Sequence, residues 1–252
     1  GFDLRRVAFD PESDAVFDGL SEAVAVSESF EPNLIRGAVC SLAAAKRIHA
    51  DGFRVALCGE GADELFCGYG VLAKAFRDGG DDARPVREDC LSMMHRISLQ
   101  RVDRCSMAHQ VETRVPFLDP SVANYALNLE ASALVHGPDG AFVDKAPLRG
   151  LYDLYPRELP RLIRDRTKTL FSEGSGLDAN PEDSVWQRRI DEKISDRDFA
   201  DGKRAFAPFN LQTREELYYL RLLAQTMDVT RVPHLKGRAW LTAEIPAAAA
   251  VA

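Results

Sequence analysis

The chain has 252 residues, is 46% apolar and carries a formal net charge of −7. That is enough apolar material to bury a core in one large or two modest domains. The acidic balance argues against non-specific nucleic-acid binding, which needs a basic face to displace counterions.

No stretch is long and apolar enough to span a bilayer, and the start has no basic-then-apolar leader pattern. The five cysteines (Cys40, Cys58, Cys67, Cys90 and Cys105) show no metal-ligand spacing. An odd count of this kind suits free thiols in a reducing compartment, so a cytoplasmic protein that needs no membrane is expected.

In chain order, Arg5 to Phe9 reads as a short strand, followed by a Pro-Glu-Ser-Asp turn. Ala15 to Val26 has apolar residues at helical spacing. Asn33 to Ala50 is the stronger helix: Leu34, Ile35, Ala38, Val39, Leu42 and Ile48 line one face, with Arg36, Lys46 and Arg47 off it. Asp51-Gly52 ends that helix, and Phe53 to Cys58 follows as a buried strand. Helix, tight turn, strand, glycine loop, helix is the order of an α/β domain with a parallel sheet, where ligands lie beyond the carboxyl ends of the strands.

At that strand end stands Leu57-Cys58-Gly59-Glu60-Gly61-Ala62-Asp63-Glu64-Leu65-Phe66, closed by Gly68-Tyr69. Glycine permits a sharp turn and a close approach of backbone to ligand. Crowded carboxylates repel one another unless a cation sits between them. The duller reading, acids placed to offset a helix dipole, does not account for Glu60 between two glycines, so the loop is expected to be a site.

After the polar break at Asp78-Gly79-Gly80-Asp81-Asp82 strand signal fades, and helices are expected over Arg87–Gln100, Pro120–Leu129, Lys145–Leu154, Val185–Lys193 and Arg214–Met227. The expected division is an α/β part over 1–78, a helical region over 79–245 and a disordered alanine-rich tail over 246–252. Alternating charges in Arg101 to Ala108 and on to Asp119 suggest internal ion pairs in a scaffold, and Asp119-Pro120 opens a helix with a capping acid and a proline at its first position. The basic run Arg164 to Lys168, leading into Ser172-Glu173-Gly174-Ser175-Gly176, suits phosphate oxygens or simply a solvated face.

Taken together, "LCGEGADELFCGY", "DRCSMAHQVETRVPFLD", "KAPLR" and "RDRTKTLFSEGSG" resemble, in order and interval over residues 1 to about 180, the synthetase domain of the glutamine-hydrolysing asparagine synthetase family and its β-lactam synthetase relatives. The resemblance implies part of an adenine-nucleotide hydrolase-like parallel sheet followed by a helical region, using ATP and Mg2+. The implied reaction activates a small carboxylate as an acyl-adenylate, which an amine or ammonia then converts to an amide.

Matched residue by residue, the resemblance makes Glu60 the general base that takes the amine's proton. Asp63 becomes a magnesium-binding carboxylate, Lys168 the lysine at the reacting centre and pyrophosphate, and Lys145 a second phosphate-facing lysine. Gly59 would lie near the nucleotide, and Gly61 with Glu60 near the substrate. The family's Ser-Gly-Gly-x-Asp-Ser pyrophosphate loop and its glutaminase domain with leading cysteine do not occur in these residues. The resulting expectation is a split ligase, with the loop and possibly the glutaminase supplied by a partner chain. A non-catalytic structural or regulatory subunit of the same fold is the alternative.

Overall fold

The structure is a computed structural model that describes residues 3–8, 10, 13–137, 140–159, 161–169 and 185–231. The chain forms two compact units. Among the described residues, the first draws on those up to Ala56, on Arg96–Thr113 and on 169 and 185–231; the second draws on Leu57–His95 and Arg114–Lys168.

The first unit is helical. α1 (Asp14–Asp18) and α2 (Leu20–Ser27) are separated by Gly19, and α3 (Pro32–Ala50) is the long apolar-striped helix read from the sequence. α7 (Ser98–Met107) packs on α3, and α12 (Val185–Lys193), α13 (Asp196–Ala205) and α14 (Arg214–Leu223) complete the unit. Leu20, Val24, Leu34, Ile35, Cys105, Trp186, Ile190, Leu217 and Leu220 meet in one core. Inside it the Arg36 guanidinium donates to Glu215 at 3.0 Å, and the Tyr219 hydroxyl donates to the same carboxylate at 2.8 Å. The buried charge is therefore paired and hydrogen-bonded, the condition under which burial is tolerated.

The second unit holds α4 (Ala62–Leu65), α5 (Gly70–Gly79), α6 (Arg84–Met93), α8 (Pro120–Leu127), α9 (Ala131–Val135), α10 (Ala146–Leu154) and α11 (Arg161–Arg164). Leu65, Phe66, Leu72, Phe76, Cys90, Ala126, Leu134 and Val135 form its core. Asp119 caps α8 as expected, its carboxylate accepting from the Ser121 amide at 2.9 Å with Pro120 in the first turn. Arg87 is fully buried, and its guanidinium donates to the Ala126 and Leu127 carbonyls at 3.1 and 3.0 Å, which closes the end of α8.

The described residues contain a two-stranded sheet, β1 (Val55–Leu57) with β2 (Glu112–Arg114). The Glu112 amide donates to the Arg54 carbonyl and the Cys58 amide to the Arg114 carbonyl, so both strands run in the same direction. The fold is thus mostly helical with a small parallel sheet, in keeping with an α/β class.

Several expectations are corrected. Residues 5–8 form no strand, and Phe9 lies outside the described residues. β1 is shorter than Phe53–Cys58 and is not buried: Val55 and Leu57 are 53% and 75% exposed. β2 falls where no strand was expected, because Glu-Thr-Arg has no apolar alternation and owes its conformation to pairing with β1. The helix expected over Arg87–Gln100 is two helices broken at Ile97, whose φ −121°, ψ −88° leaves the helical region. The tail over 246–252 and residues 170–176 of the basic motif lie outside the described residues.

Candidate functional site

β1 leads into the turn Gly59-Glu60-Gly61, where the Ala62 amide donates back to the Gly59 carbonyl. Gly61 has φ +94°, a region side-chain-bearing residues rarely adopt. A Cβ there would also come within 2.5 Å of Leu118 Cδ2. α4 is a single turn that carries Asp63 and Glu64, and the chain leaves it through Cys67 at φ 58°. The Gly68 amide then donates to the Asp63 carbonyl at 2.8 Å. A Cβ on Gly68 would sit 1.9 Å from Asp63 Oδ1, so glycine here is what leaves room for that carboxylate.

Both oxygens of the Asp63 carboxylate are engaged. Lys145 Nζ donates to Oδ1 at 2.7 Å and Lys168 Nζ to Oδ2 at 2.8 Å, although the lysines stand 82 and 105 residues away in sequence. The three side chains are each about a quarter exposed or less, so the cluster is sheltered but open to solvent. Burial pushes the Asp63 pKa up, and the hydrogen bonds and charges of Lys145 and then Lys168 overcome this, leaving it below the usual carboxylate value. Lys145 itself has φ 52°, ψ 39°, a left-handed conformation held at the N-cap of α10. For a residue with a Cβ that costs on the order of 1–2 kcal/mol.

Tyr69 and Glu64 line the same cluster. The Tyr69 hydroxyl donates to Glu64 Oε1 at 2.7 Å, and the Lys168 ammonium lies 5.6 Å from the centre of the Tyr69 ring. Burial raises the Glu64 pKa, with Tyr69 opposing and the nearby charges of Glu60 and Asp63 adding to the rise. Burial, and then the Glu64 carboxylate, holds the Tyr69 phenol well above its ordinary value. Glu60 is half-buried in the turn and contributes its charge to both shifts.

The structure therefore brings Asp63, Lys145 and Lys168 into contact and sets Glu60 within electrostatic reach of their neighbours. Gly61 is fixed by its turn and by Leu118. At Gly59 nothing among the described residues lies within 4 Å of an added Cβ, so the backbone there faces open space. Tyr69, Glu64 and Arg149 were not singled out from sequence, though Tyr69 closes the glycine motif and Arg149 ends the Lys-Ala-Pro-Leu-Arg string.

Asp63, Lys145 and Lys168 carry one net positive charge among the three of them, with Glu60 and Glu64 beside them, and each lysine has N–H donors beyond the one given to Asp63. That donor set fits the oxygens of a polyphosphate. It does not fit a magnesium ion as arranged: both Asp63 oxygens face cations, and the described residues hold no group of three or more His, Cys, Asp or Glu placed to bind a metal.

The Asparagine synthase family model matches residues 2–88 and 78–231 of the chain. A glutamine-hydrolyzing asparagine synthetase from Triphysaria versicolor is 27% identical over 213 residues, which is 82% of this chain and 34% of that protein. The enzyme of the same name from Rattus norvegicus is 29% identical over 244 residues, 96% of this chain and 41% of that protein. The chain thus spans between a third and two fifths of the length of these curated relatives. No helix among the described residues is long and apolar enough to cross a membrane.

Proposed function

Because the chain belongs to the asparagine synthase family, we propose that it supplies the acid–lysine part of an ATP-dependent amide ligase site of the adenine-nucleotide hydrolase-like type. The observation that carries this reading is the pairing of Lys145 and Lys168 on Asp63. Two cations set at one point suit the charge that develops when a phosphoryl bond breaks, and their prior placement is where such catalysis gains most.

In this reading a carboxylate oxygen of a small acid, aspartate by family likeness, attacks the α-phosphorus of ATP. The bond from that phosphorus to the β-phosphate bridging oxygen breaks, and pyrophosphate leaves with its charge met by the lysines. Ammonia or a simple amine then attacks the acyl carbon, Glu60 takes the proton the nitrogen gives up, and AMP departs with the bond pair. The family's magnesium ion would travel on the nucleotide's phosphates, and no residue role here depends on it.

The polyphosphate cradle is assigned to polypeptide outside these 252 residues, in our reading a partner chain carrying the Ser-Gly-Gly-x-Asp-Ser loop and possibly a glutaminase. Supporting this, β1 and β2 make a parallel ladder in which Val55 and Leu57 are exposed, whereas parallel sheets are ordinarily covered on both faces. Placement in the cytoplasm belongs to the same proposal.

The test is co-expression with a loop-bearing polypeptide, followed by assay of carboxylate-dependent AMP and pyrophosphate release. Glu60→Gln and Lys168→Ala should abolish turnover and leave assembly intact. Unchanged turnover in both variants would point to a non-catalytic scaffold, and turnover by the chain alone would refute the partner requirement.

A further inference from the structure

Lys145 and Lys168 come from separate segments, and one side chain touches the backbone of both. Arg149, one turn into α10, donates through Nε to the Asp144 carbonyl at 2.8 Å and through Nη2 to Asp144 Oδ1 at 2.7 Å. The same guanidinium reaches the other segment, through Nη2 to the Arg166 carbonyl at 3.2 Å and through Nη1 to the Arg164 carbonyl. Asp144 directly precedes Lys145, and Arg166 stands two residues before Lys168. A guanidinium is suited to this because its donors lie in one plane at fixed angles, so that a single group can tie a carboxylate and several carbonyls.

Two further observations point the same way. The backbone of Lys145 is left-handed, a conformation that persists only when its surroundings impose it. Asp144 Oδ2 is buried and has no partner among the described residues, so the bond from Arg149 to Oδ1 is what compensates this carboxylate. An additional tie runs between the same two elements, from Arg164 to Asp153 on α10 at 2.8 Å.

We propose that Arg149 is a positioning residue, the fork that brings Lys145 and Lys168 to a single carboxylate and so creates the two-lysine anion site. It need not touch ligand to do this. The inference rests on the reading of the lysine pair as polyphosphate-facing for its functional meaning, but the positioning itself is measurable without any ligand.

Acetylation of individual lysines by limiting acetic anhydride, followed by mass spectrometry, reads how firmly each ammonium is held. In Arg149→Gln the rates at Lys145 and Lys168 should rise together by roughly tenfold, which corresponds to about 1.4 kcal/mol of lost restraint, while exposed Lys74 keeps its wild-type rate. Arg149→Lys serves if the glutamine variant unfolds. A lone ammonium is a point donor and will side with the charged Asp144 carboxylate, so Lys168 should be freed and Lys145 should stay held.

Wild-type rates at Lys168 in the lysine variant, or at both lysines in a folded glutamine variant, would overturn the proposal. Pyrophosphate protection of the wild-type lysines is the separate control. If pyrophosphate fails to protect them while the Arg149 variants free them, the polyphosphate reading falls and the fork stands.

Discussion

Replacing Gly61 by alanine perturbs the turn that aims Glu60 and Asp63, and the structure gives two separable costs. The first is conformational: at φ +94° an added Cβ meets the backbone, a strain of about 1–2 kcal/mol. The second is steric: the new methyl would lie 2.5 Å from Leu118 Cδ2 and 2.7 Å from its Cγ. Overpacking of this kind costs about 1–3 kcal/mol, and Leu118, only half-buried, can relieve part of it by swinging outward. The sum is about 2–4 kcal/mol, borne locally by the second unit. Native-state hydrogen exchange at the Leu65 and Phe66 amides, which donate to the Gly61 and Ala62 carbonyls, reads it directly. Exchange there should quicken by roughly two orders of magnitude. Adding Leu118→Ala should return the steric share and leave the conformational one, a coupling that a double-mutant cycle isolates. A change below about threefold for the single variant, or no recovery beyond additivity in the double, would show that neither the left-handed turn nor Leu118 constrains position 61.

Three more outcomes follow from the same geometry. Asp63→Asn leaves two ammonium groups facing an uncharged acceptor and should cost about 1–3 kcal/mol in urea denaturation, between the values for exposed and buried pairs. Since the folded Asp63 pKa lies below its unfolded 3.8, its contribution is complete above that value and is lost as pH falls through the folded one; the variant should lack this acid-side loss. Glu64 is the opposite case: its folded pKa is raised, so wild-type stability falls as pH rises through it, and Glu64→Gln, which can still accept from Tyr69, should melt higher at pH 8 than wild type, with an equal or lower melting point counting against the assignment. Burial pushes the Cys67 and Cys90 thiols up to about 12 and Cys105 up to about 11, so native alkylation at neutral pH should mark half-buried Cys58 first. Rapid labelling of Cys67 in the folded protein would contradict its placement in the core.

The parts of this fold that announce themselves in sequence are those decided locally. α3 shows its apolar stripe within a few turns, and the Asp119-Pro120 cap is written in adjacent residues. β2 is illegible because three residues without alternation become a strand only when β1 lies beside them. Arg5 to Ala8 has the composition of a strand, but local propensity does not decide pairing. The site divides in the same way. Glycine at 61 and the acids at 60 and 63 were recognisable as a constrained loop, and likeness to a family singled out both lysines. That both lysines converge on the Asp63 carboxylate was not, because contacts across 82 and 105 residues leave no periodic trace. Arg149 closes the string that Lys145 opens, which was a usable signal, but its bonds to the Arg164 and Arg166 carbonyls depend on tertiary structure alone.

In the proposed function Lys145 and Lys168 form one anion site with Asp63 as its anchor. Site-resolved acetylation of the intact chain, titrated with pyrophosphate, reads whether the two ammonium groups act as one site. Both lysines should be protected with the same concentration dependence, Lys74 should be indifferent, and Asp63→Asn should uncouple the two protection curves. Protection of only one lysine, of neither, or of Lys74 alongside them would contradict it.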